Sequence, residues 1–205
     1  MDMHLLFKGF VIGLSIAAPV GPIGILCIRQ TVAEGRISGL ATGMGAALAD
    51  SLYASIAGLG LTTISAFLLG HLAFIRLLGG FFLFFLGIKT FRNIPIQKPD
   101  LDIQKNLVGK FFSTFILTLS NPMTILAFAA VFTGFGLLKD SHSQISPGTL
   151  ILGVFLGSAS WWLTLTTVVS LIRQHLNFAK LIWINRVSGI LIFLFGIISI
   201  ISLLK

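Results

Sequence analysis

Long uncharged apolar runs constrain this chain more than any other feature. No charged residue lies between Lys8 and Arg29, and from Ile37 to Ile75 the only charged residue is Asp50. A helix needs ~20 mostly apolar residues to cross the ~30 Å hydrocarbon core of a bilayer, and both runs are long enough. Hydrophobic residues make up 56% of the chain and charged residues only 10%, against roughly 25% charged in a typical soluble domain. These proportions exclude water-soluble enzymes, nucleic-acid modules and disordered tails, and they predict an integral membrane protein.

The apolar runs divide into six predicted transmembrane helices. Three precede a polar interruption at 92–110, and three follow it. The predicted crossings lie at about 8–29, 37–62, 65–89, 111–138, 148–172 and 185–204. The predicted fold class is therefore an all-α integral membrane protein in which residues 1–205 form a single transmembrane domain.

The positive charges predict how these helices are oriented. If the first, third and fifth loops share one side, that side carries ten of the fourteen Lys and Arg residues. Short cytoplasmic loops are enriched in these residues, so we place this side in the cytoplasm and both termini outside. The net charge of +8 is then attributed to loops facing an anionic membrane surface, and not to nucleic-acid binding. Met1–His4 contains no Lys or Arg, so a cleaved signal peptide is not predicted.

The two halves of the chain resemble one another. At an offset of 100 residues, Gly21-Pro22-Ile23 lies over Asn121-Pro122-Met123, and at an offset of 110 Asp50 lies over Ser160. Three helices per repeat is an odd number, so the second repeat must enter the membrane from the opposite side. We predict inverted repeats at about 5–91 and 110–204, joined by a cytoplasmic linker at about 92–110. Inverted repeats are typical of secondary transporters, whose sites lie near the bilayer midplane between the repeats.

Asp50 is the strongest functional candidate among the residues of the predicted helices. It lies about 13 residues into the second helix, or ~20 Å along its axis, where a carboxylate costs ~2.5–3.5 kcal/mol to insert. Gly43, Ala46, Ala47 and Ala54 lie on the same helical face, and such small residues allow another helix to approach closely. We interpret Asp50 as an interior residue that exchanges a proton or binds a cation. The alternative is a structural Asp that accepts a hydrogen bond from Ser or Thr on another helix.

Proline residues interrupt two predicted helices at corresponding positions of the repeat. Pro19, Gly21 and Pro22 interrupt the first helix, and Asn121-Pro122 interrupts the fourth. Each proline removes a backbone donor and frees a carbonyl, and in lipid such groups must be satisfied by protein, water or ligand. The N-terminus of a half-helix attracts a carboxylate. The breaks therefore predict a substrate site, with ordinary proline kinks as the alternative.

The predicted fifth helix carries a stripe of hydroxyl groups. Ser160 and Thr164 lie on one face with Gly153 and Gly157. These hydroxyls either line a polar path, which makes Ser160 and Thr164 candidate substrate-binding residues, or bond back to carbonyls of their own helix. The glycine spacing allows this face to pack within the chain or against a second copy, so a homodimer is an open prediction.

The same residues resemble the lysine exporter (LysE/RhtB) family of bacterial amino-acid efflux transporters. The motifs that carry the resemblance are Ala18-Pro19-Val20-Gly21-Pro22, Ile28-Arg29-Gln30, Gly35-Arg36, the Gly-rich run Gly43–Asp50, and Asn121-Pro122. Gly24 is included in the predicted site, although many family members have Asn at the corresponding position. The resemblance implies a six-helix exporter in the bacterial inner membrane, driven by the proton motive force.

The resulting hypothesis is a proton-coupled exporter of an amino acid or similar zwitterion, in which Asp50 binds the substrate ammonium or a proton. One alternative is export of a divalent metal, but a metal site needs several converging ligands and the predicted spans contain one Asp and no Glu. Another is a membrane-embedded lipid-modifying enzyme, for which no Ser/His/Asp or Cys/His set is found. No cofactor is predicted. The expected partners are an amino acid, protons and membrane lipid.

Overall fold

The computed structural model is entirely helical over the residues that it describes. These are residues 2–19, 21–58, 70–92, 106–121, 124, 127–128, 147–173 and 178–201. Their seven helices are α1 (Met3–Ala17), α2 (Pro22–Glu34), α3 (Arg36–Gly58), α4 (Leu72–Arg92), α5 (Leu107–Leu119), α6 (Pro147–Arg173) and α7 (Phe178–Ile201). The described part of the chain contains no β-strand.

Several of these helices suit a membrane by length and composition. Within the described ranges, Gly148–Arg173 and Ile182–Ile201 are each long and apolar enough to cross a bilayer. The pair α1 and α2 meets the same criteria together, but with an 80° bend between the two helices. Large apolar side chains point outwards along the bundle, including Phe85, Ile116 and Ile198, each more than half exposed. Such a surface is stable when it contacts lipid and is costly in water.

The described helices follow the order of the predicted crossings, but there are seven of them, and their boundaries differ from the prediction. The predicted first crossing is two helices, α1 and α2, since the break at Pro19 to Pro22 turns the chain sharply. The last helix begins at Phe178, several residues before the predicted start at 185. The predicted fourth crossing is represented by α5, and most of its second half lies outside the described residues, as does the predicted turn near Thr62–Ser65.

Local sequence explains where α1 and α2 begin and end. The carboxylate of Asp2 accepts hydrogen bonds from the backbone N–H groups of His4 and Leu5, which caps α1. Pro22 occupies the first turn of α2, where its missing N–H costs nothing. Gly35 follows α2 with φ of 104°, a conformation that favours glycine, and α3 begins directly after it.

Glycine residues allow two pairs of helices to pack in parallel. Gly9 of α1 lies against Gly153 of α6, and Gly13 lies against Val154, so closely that an added Cβ would overlap the α6 backbone. In the same way, Gly45 of α3 lies against the backbone of Phe111 in α5. The glycine face of α6 therefore packs within the chain, one of the two arrangements that the sequence left open.

Two further pairs of helices pack antiparallel, around a central short helix. Asp50 of α3 contacts Ser158 of α6, whereas Gly43 lies against Trp162, so the two helices run in opposite directions. Helices α4 and α7 likewise pack antiparallel: Gly80 lies beside Gly196, and Gly189 lies beside Phe91. Most of α2 is buried, and it packs against α3, α6 and α7 at the centre of the bundle.

Candidate substrate-binding site

A cavity of about 510 Å³ lies where the broken helices meet. Its wall includes the end of α1, the start of α2, the middle of α3 and the end of α5, together with residues from α4, α6 and α7. The volume is within the ~300–1,000 Å³ that is usual for small-molecule sites. We call it the Asp50 cavity, since Asp50 is the one ionisable side chain among its described lining residues.

The break between α1 and α2 presents the N-terminus of α2 to this cavity. Gly21 is the N-cap residue and Pro22 follows it, and no side chain caps the helix. Ile23 and Gly24 lie in the first turn of α2, where backbone N–H groups have no carbonyl partner within the helix. Both residues line the cavity. A Cβ added at Gly21 would meet nothing within 4 Å. The cavity therefore has an open, positively polarised end that suits an anionic group.

Asp50 lies in the wall formed by α3 and is 3% exposed. The hydroxyl of Ser158 donates a hydrogen bond of 2.7 Å to Asp50 Oδ2, and Trp162 Nε1 donates to Ser158 Oγ at 3.2 Å. No described residue forms an ion pair with this carboxylate. A buried carboxylate without a cation is costly unless it is protonated or paired. The site can thus be stabilised by a proton or by the cationic end of a ligand.

The C-terminal ends of two helices also reach the cavity. Helix α1 ends at Ala17 and α5 ends at Leu119, with Ser120 and Asn121 continuing along the wall. Tyr53 donates a hydrogen bond of 2.6 Å to the carbonyl of Leu119, which ties the end of α5 to α3. Helix C-termini carry partial negative charge, and the end of α5 lies beside α3, so this part of the wall adds to the preference for a cation.

Six of the predicted site residues line this one cavity although they are distant in the chain. They are Pro19, Gly21, Pro22, Gly24, Asp50 and Asn121. Pro122 lies outside the described residues. Ser160 and Thr164 do not line the cavity. Their hydroxyls bond to carbonyls of their own helix, those of Gly157 and Ser160, and Thr164 is exposed.

Other polar residues at the cavity or beside Asp50 were not among the predicted site residues. Ser158 and Trp162 belong to a buried stripe of α6 at a spacing of four, which continues to Thr166. The sequence interpretation selected the neighbouring stripe because Ser160 aligns with Asp50 in the repeat. The spacing of four residues between Ser158, Trp162 and Thr166 was the sequence signal that could have identified the buried polar face of α6. Thr118, Ser120 and Thr124 also line the wall near the end of α5.

Metal-binding groups do not cluster in the described part of the chain, where no set of three or more His, Cys, Asp or Glu residues converges. The Asp50 cavity instead offers one carboxylate, hydroxyls and backbone groups. This set of donors suits an organic cation or zwitterion better than a divalent metal, which prefers several anionic or imidazole ligands.

The chain belongs to the LysE type translocator family, whose model matches residues 14–202. This result confirms the resemblance stated from the sequence motifs, and it identifies the protein as a membrane translocator. No solved structure matches the chain.

Three relatives are similar to parts or all of the chain. It is 29% identical over 204 residues to the Bacillus subtilis (strain 168) protein named "Putative amino acid efflux protein YcgF", covering 95% of this chain and 94% of that protein. It is 28% identical over 110 residues to "Uncharacterized membrane protein YahN" of Escherichia coli (strain K12), covering 52% of this chain and 49% of the relative. A 35% identical segment of 127 residues matches "Protein TIC 214" of Adiantum capillus-veneris, covering 61% of this chain but 7% of that protein.

Proposed function

We propose that this protein is a proton-coupled antiporter that exports an amino acid, or a related small zwitterion, across the bacterial inner membrane. The observation that carries the proposal is that one buried carboxylate and an uncapped helix N-terminus line the same cavity. The family membership and the name of the Bacillus subtilis relative support an exporter.

The cavity is complementary to both ends of a zwitterion. The ammonium group of the substrate binds near Asp50, where the ends of α1 and α5 add partial negative charge. The carboxylate of the substrate binds at the start of α2, where backbone N–H groups at Ile23 and Gly24 are available. The apolar lining, which includes Leu83 and Phe195, contacts the substrate side chain.

Competition at Asp50 is sufficient to couple export to protons. The carboxylate binds the substrate ammonium or a proton, and each must leave before the other binds. When the cavity faces the cytoplasm the substrate displaces the proton, and when it faces outside a proton displaces the substrate. Each transport cycle then moves substrate outwards and a proton inwards.

The packing directions support the predicted inverted repeat. If the repeat relates the first three predicted helices to the last three, α1 corresponds to α5, α3 to α6 and α4 to α7. The parallel pair α1 and α6 then corresponds to the parallel pair α5 and α3, whereas α3 with α6 and α4 with α7 each form an antiparallel pair across the axis. We propose six crossings, with both termini outside and the α2–α3 turn in the cytoplasm, as the charge distribution indicates.

The Asp50→Asn variant tests the proposal. Cells that express the protein are loaded with dipeptides, and efflux of each common amino acid is measured with and without a proton gradient. Loss of a buried charged partner typically costs ~3–5 kcal/mol, so proton-driven efflux in this variant should fall roughly 100-fold or more.

The matched control is Asp2→Asn, which removes an exposed carboxylate from the N-cap of α1 and keeps a side chain that also caps helices. It should export at the wild-type rate. Full proton-driven efflux by a correctly inserted Asp50→Asn protein would disprove the role of Asp50. Failure of the wild type to export any amino acid would disprove the substrate class.

A further inference from the structure

A second cavity of about 230 Å³ lies along the same helices as the Asp50 cavity. Both cavities are lined by α2, α4 and α5, at successive positions of each helix. On α2, for example, Gly24 lines the Asp50 cavity and Arg29 lines the second one. Arg29, Lys89 and Lys110 all line this second cavity, so we call it the basic cavity. It lies towards the α2–α3 turn, at the proposed cytoplasmic end.

Apolar side chains lie between the two cavities. Leu26, Leu83 and Leu117 belong to one buried cluster, with Leu86 packed against it. Leu83 and Leu117 line the Asp50 cavity, whereas Leu26 and Leu86 line the basic cavity. These leucines therefore lie on the direct path from the basic cavity to Asp50.

The basic cavity carries an excess of positive charge. Its described lining contains three basic side chains and one acidic side chain, Glu34, which forms an ion pair with Lys110. Arg29 is 6% exposed, and its Nε donates a hydrogen bond of 3.3 Å to Asn185 Oδ1. This bond fixes the guanidinium in the wall and leaves its remaining N–H donors for a planar anion, the group that arginine recognises best.

Two buried hydroxyl groups in this cavity have no hydrogen-bond partner in the structure. Thr90 and Thr114 are each 1% exposed, and Oγ1 of each is without a partner. Other buried threonines of the described helices do have a partner. The hydroxyls of Thr42 and Thr166, for example, each donate to the carbonyl four residues earlier. A buried hydroxyl without a partner is costly. Both threonines line the basic cavity, one from α4 and one from α5, and an acceptor bound there would supply the missing partner.

We propose that the basic cavity is a binding site for a carboxylate, bound by Arg29, Thr90 and Thr114. The identification of this carboxylate as that of the exported zwitterion rests on the proposed function; the binding itself does not. The substrate then binds first by its carboxylate in the basic cavity and afterwards by its ammonium at Asp50, beyond the leucines.

Chemical labelling of a single cysteine tests this site without any transport measurement. The only cysteine of the chain, Cys27, is replaced by Ala, and Ser113→Cys introduces a thiol in the basic cavity. The purified full-length protein in detergent is labelled with an anionic and a cationic methanethiosulfonate, in the presence of acetate, inorganic phosphate or methylammonium. Ser170→Cys on α6, which lines neither cavity, is the control position.

We expect the ratio of the labelling rate of the anionic reagent to that of the cationic reagent to be higher at Ser113→Cys than at Ser170→Cys. Acetate should slow labelling at Ser113→Cys, and methylammonium should not. Protection by phosphate at lower concentrations than acetate would overturn the assignment to carboxylates. Absence of protection by acetate would overturn the proposed site.

The two threonines provide the test of the binding groups. Combining Thr90→Val and Thr114→Val removes two hydroxyls without changing side-chain shape, so the concentration of acetate for half protection should rise about 10-fold. The melting temperature should stay constant or rise, since no hydrogen bond within the protein is lost. Thr166→Val, whose hydroxyl is bonded within α6, should leave acetate protection unchanged. Unaltered protection in the double variant would overturn the assignment.

Arg29→Gln should abolish protection by acetate, whereas Arg29→Lys should keep part of it because the charge remains. If Arg29→Gln does not fold, the threonine variants still test whether acetate binds in the basic cavity. The outcomes are separable from those for Asp50. Acetate protection with no amino-acid export would retain the site and reject the proposed function, and export without acetate protection would do the reverse.

Discussion

The Asp50 cavity and the basic cavity share three lining helices, α2, α4 and α5, but have opposite charge. The described lining of the Asp50 cavity contains one carboxylate and no Lys or Arg, whereas the basic cavity contains three basic side chains and one carboxylate. Their polar groups also differ, since Asp50 accepts a hydrogen bond from Ser158 but two hydroxyls of the basic cavity have no partner. The two cavities lie one or two turns apart along α2, α4 and α5, and their charge differs because α3 adds Asp50 to one, whereas Arg29, Lys89 and Lys110 line the other.

Under the proposed function, the basic cavity receives the carboxylate of the zwitterion first, and the Asp50 cavity then receives both of its ends. The comparison also indicates which elements are specific to each cavity. Helix α6 contributes Trp162 to the lining of the Asp50 cavity but does not line the basic cavity. Changes in α6 should thus alter the Asp50 cavity and preserve the basic cavity. Changes in the ion pair at Glu34 should alter the basic cavity and preserve the Asp50 cavity.

The largest effect is expected from Gly43→Leu, which should disrupt the Asp50 cavity alone. A Cβ at Gly43 would lie 2.5 Å from Trp162 Cβ, so the larger side chain must push Trp162 and Ser158 away from Asp50. Overpacking of this kind costs ~1–3 kcal/mol, and amino-acid efflux should be lost. Acetate protection at Ser113→Cys should persist. The control is Gly148→Leu, since a Cβ at Gly148 meets nothing within 4 Å. Normal efflux by Gly43→Leu would contradict the close packing of α3 and α6.

An intermediate effect is expected from Ser158→Ala, which removes the hydrogen bond to Asp50 and keeps the carboxylate. A hydrogen bond to a charged group contributes ~1.5–3 kcal/mol, so efflux at low substrate concentration should fall about 10-fold or more. Ser160→Ala is the matched control two residues away, since its hydroxyl bonds to the carbonyl of Gly157. Its efflux should stay within about twofold of the wild type. Equal losses in the two variants would argue against a specific role for Ser158.

The smallest effect is expected from Glu34→Gln, which sharpens the charge difference between the cavities. The substitution breaks the ion pair with Lys110. It also replaces the charged acceptor of the 3.0 Å hydrogen bond from Ser38 with a neutral one. The preference for the anionic reagent at Ser113→Cys should rise about twofold, because one negative charge leaves the cavity. A lower preference would show that Glu34 does not shape the field in the basic cavity.

The sequence predicted the parts of the Asp50 cavity that follow from local chemistry. Pro19, Pro22 and Asp50 were selected because a missing backbone donor or a charge in lipid has consequences that do not depend on the partner. Both alternatives considered for Asp50 remain compatible with its surroundings, since it accepts a hydrogen bond from a serine and also lines a cavity. The repeat selected Ser160 as the counterpart of Asp50, whereas the hydroxyl that bonds to Asp50 is that of Ser158, because a two-residue difference turns a side chain to another face of the helix.

The basic cavity could not be predicted in this way. Arg29 lies in a predicted basic loop motif, and threonines 90 and 114 are ordinary residues near the ends of apolar segments. They meet because α2, α4 and α5 pack with a particular register and rotation, and neither quantity is encoded in a short stretch of sequence. The same holds for Asn185, which bonds to Arg29 from α7 across most of the length of the chain.

By itself, the sequence determined that the chain is a membrane protein, where the helix containing Pro19 breaks, and that Asp50 must be inside. These properties depend on the free energy of single residues in lipid and on covalent geometry, which do not change with the fold. Only the tertiary structure decided that Ser158 holds Asp50, that Ser160 does not line the cavity, and that a second cavity of opposite charge lies beyond the leucines. Those depend on how the helices are rotated and aligned, because hydrogen bonds and cavity walls require side chains from several helices to meet within a few ångströms.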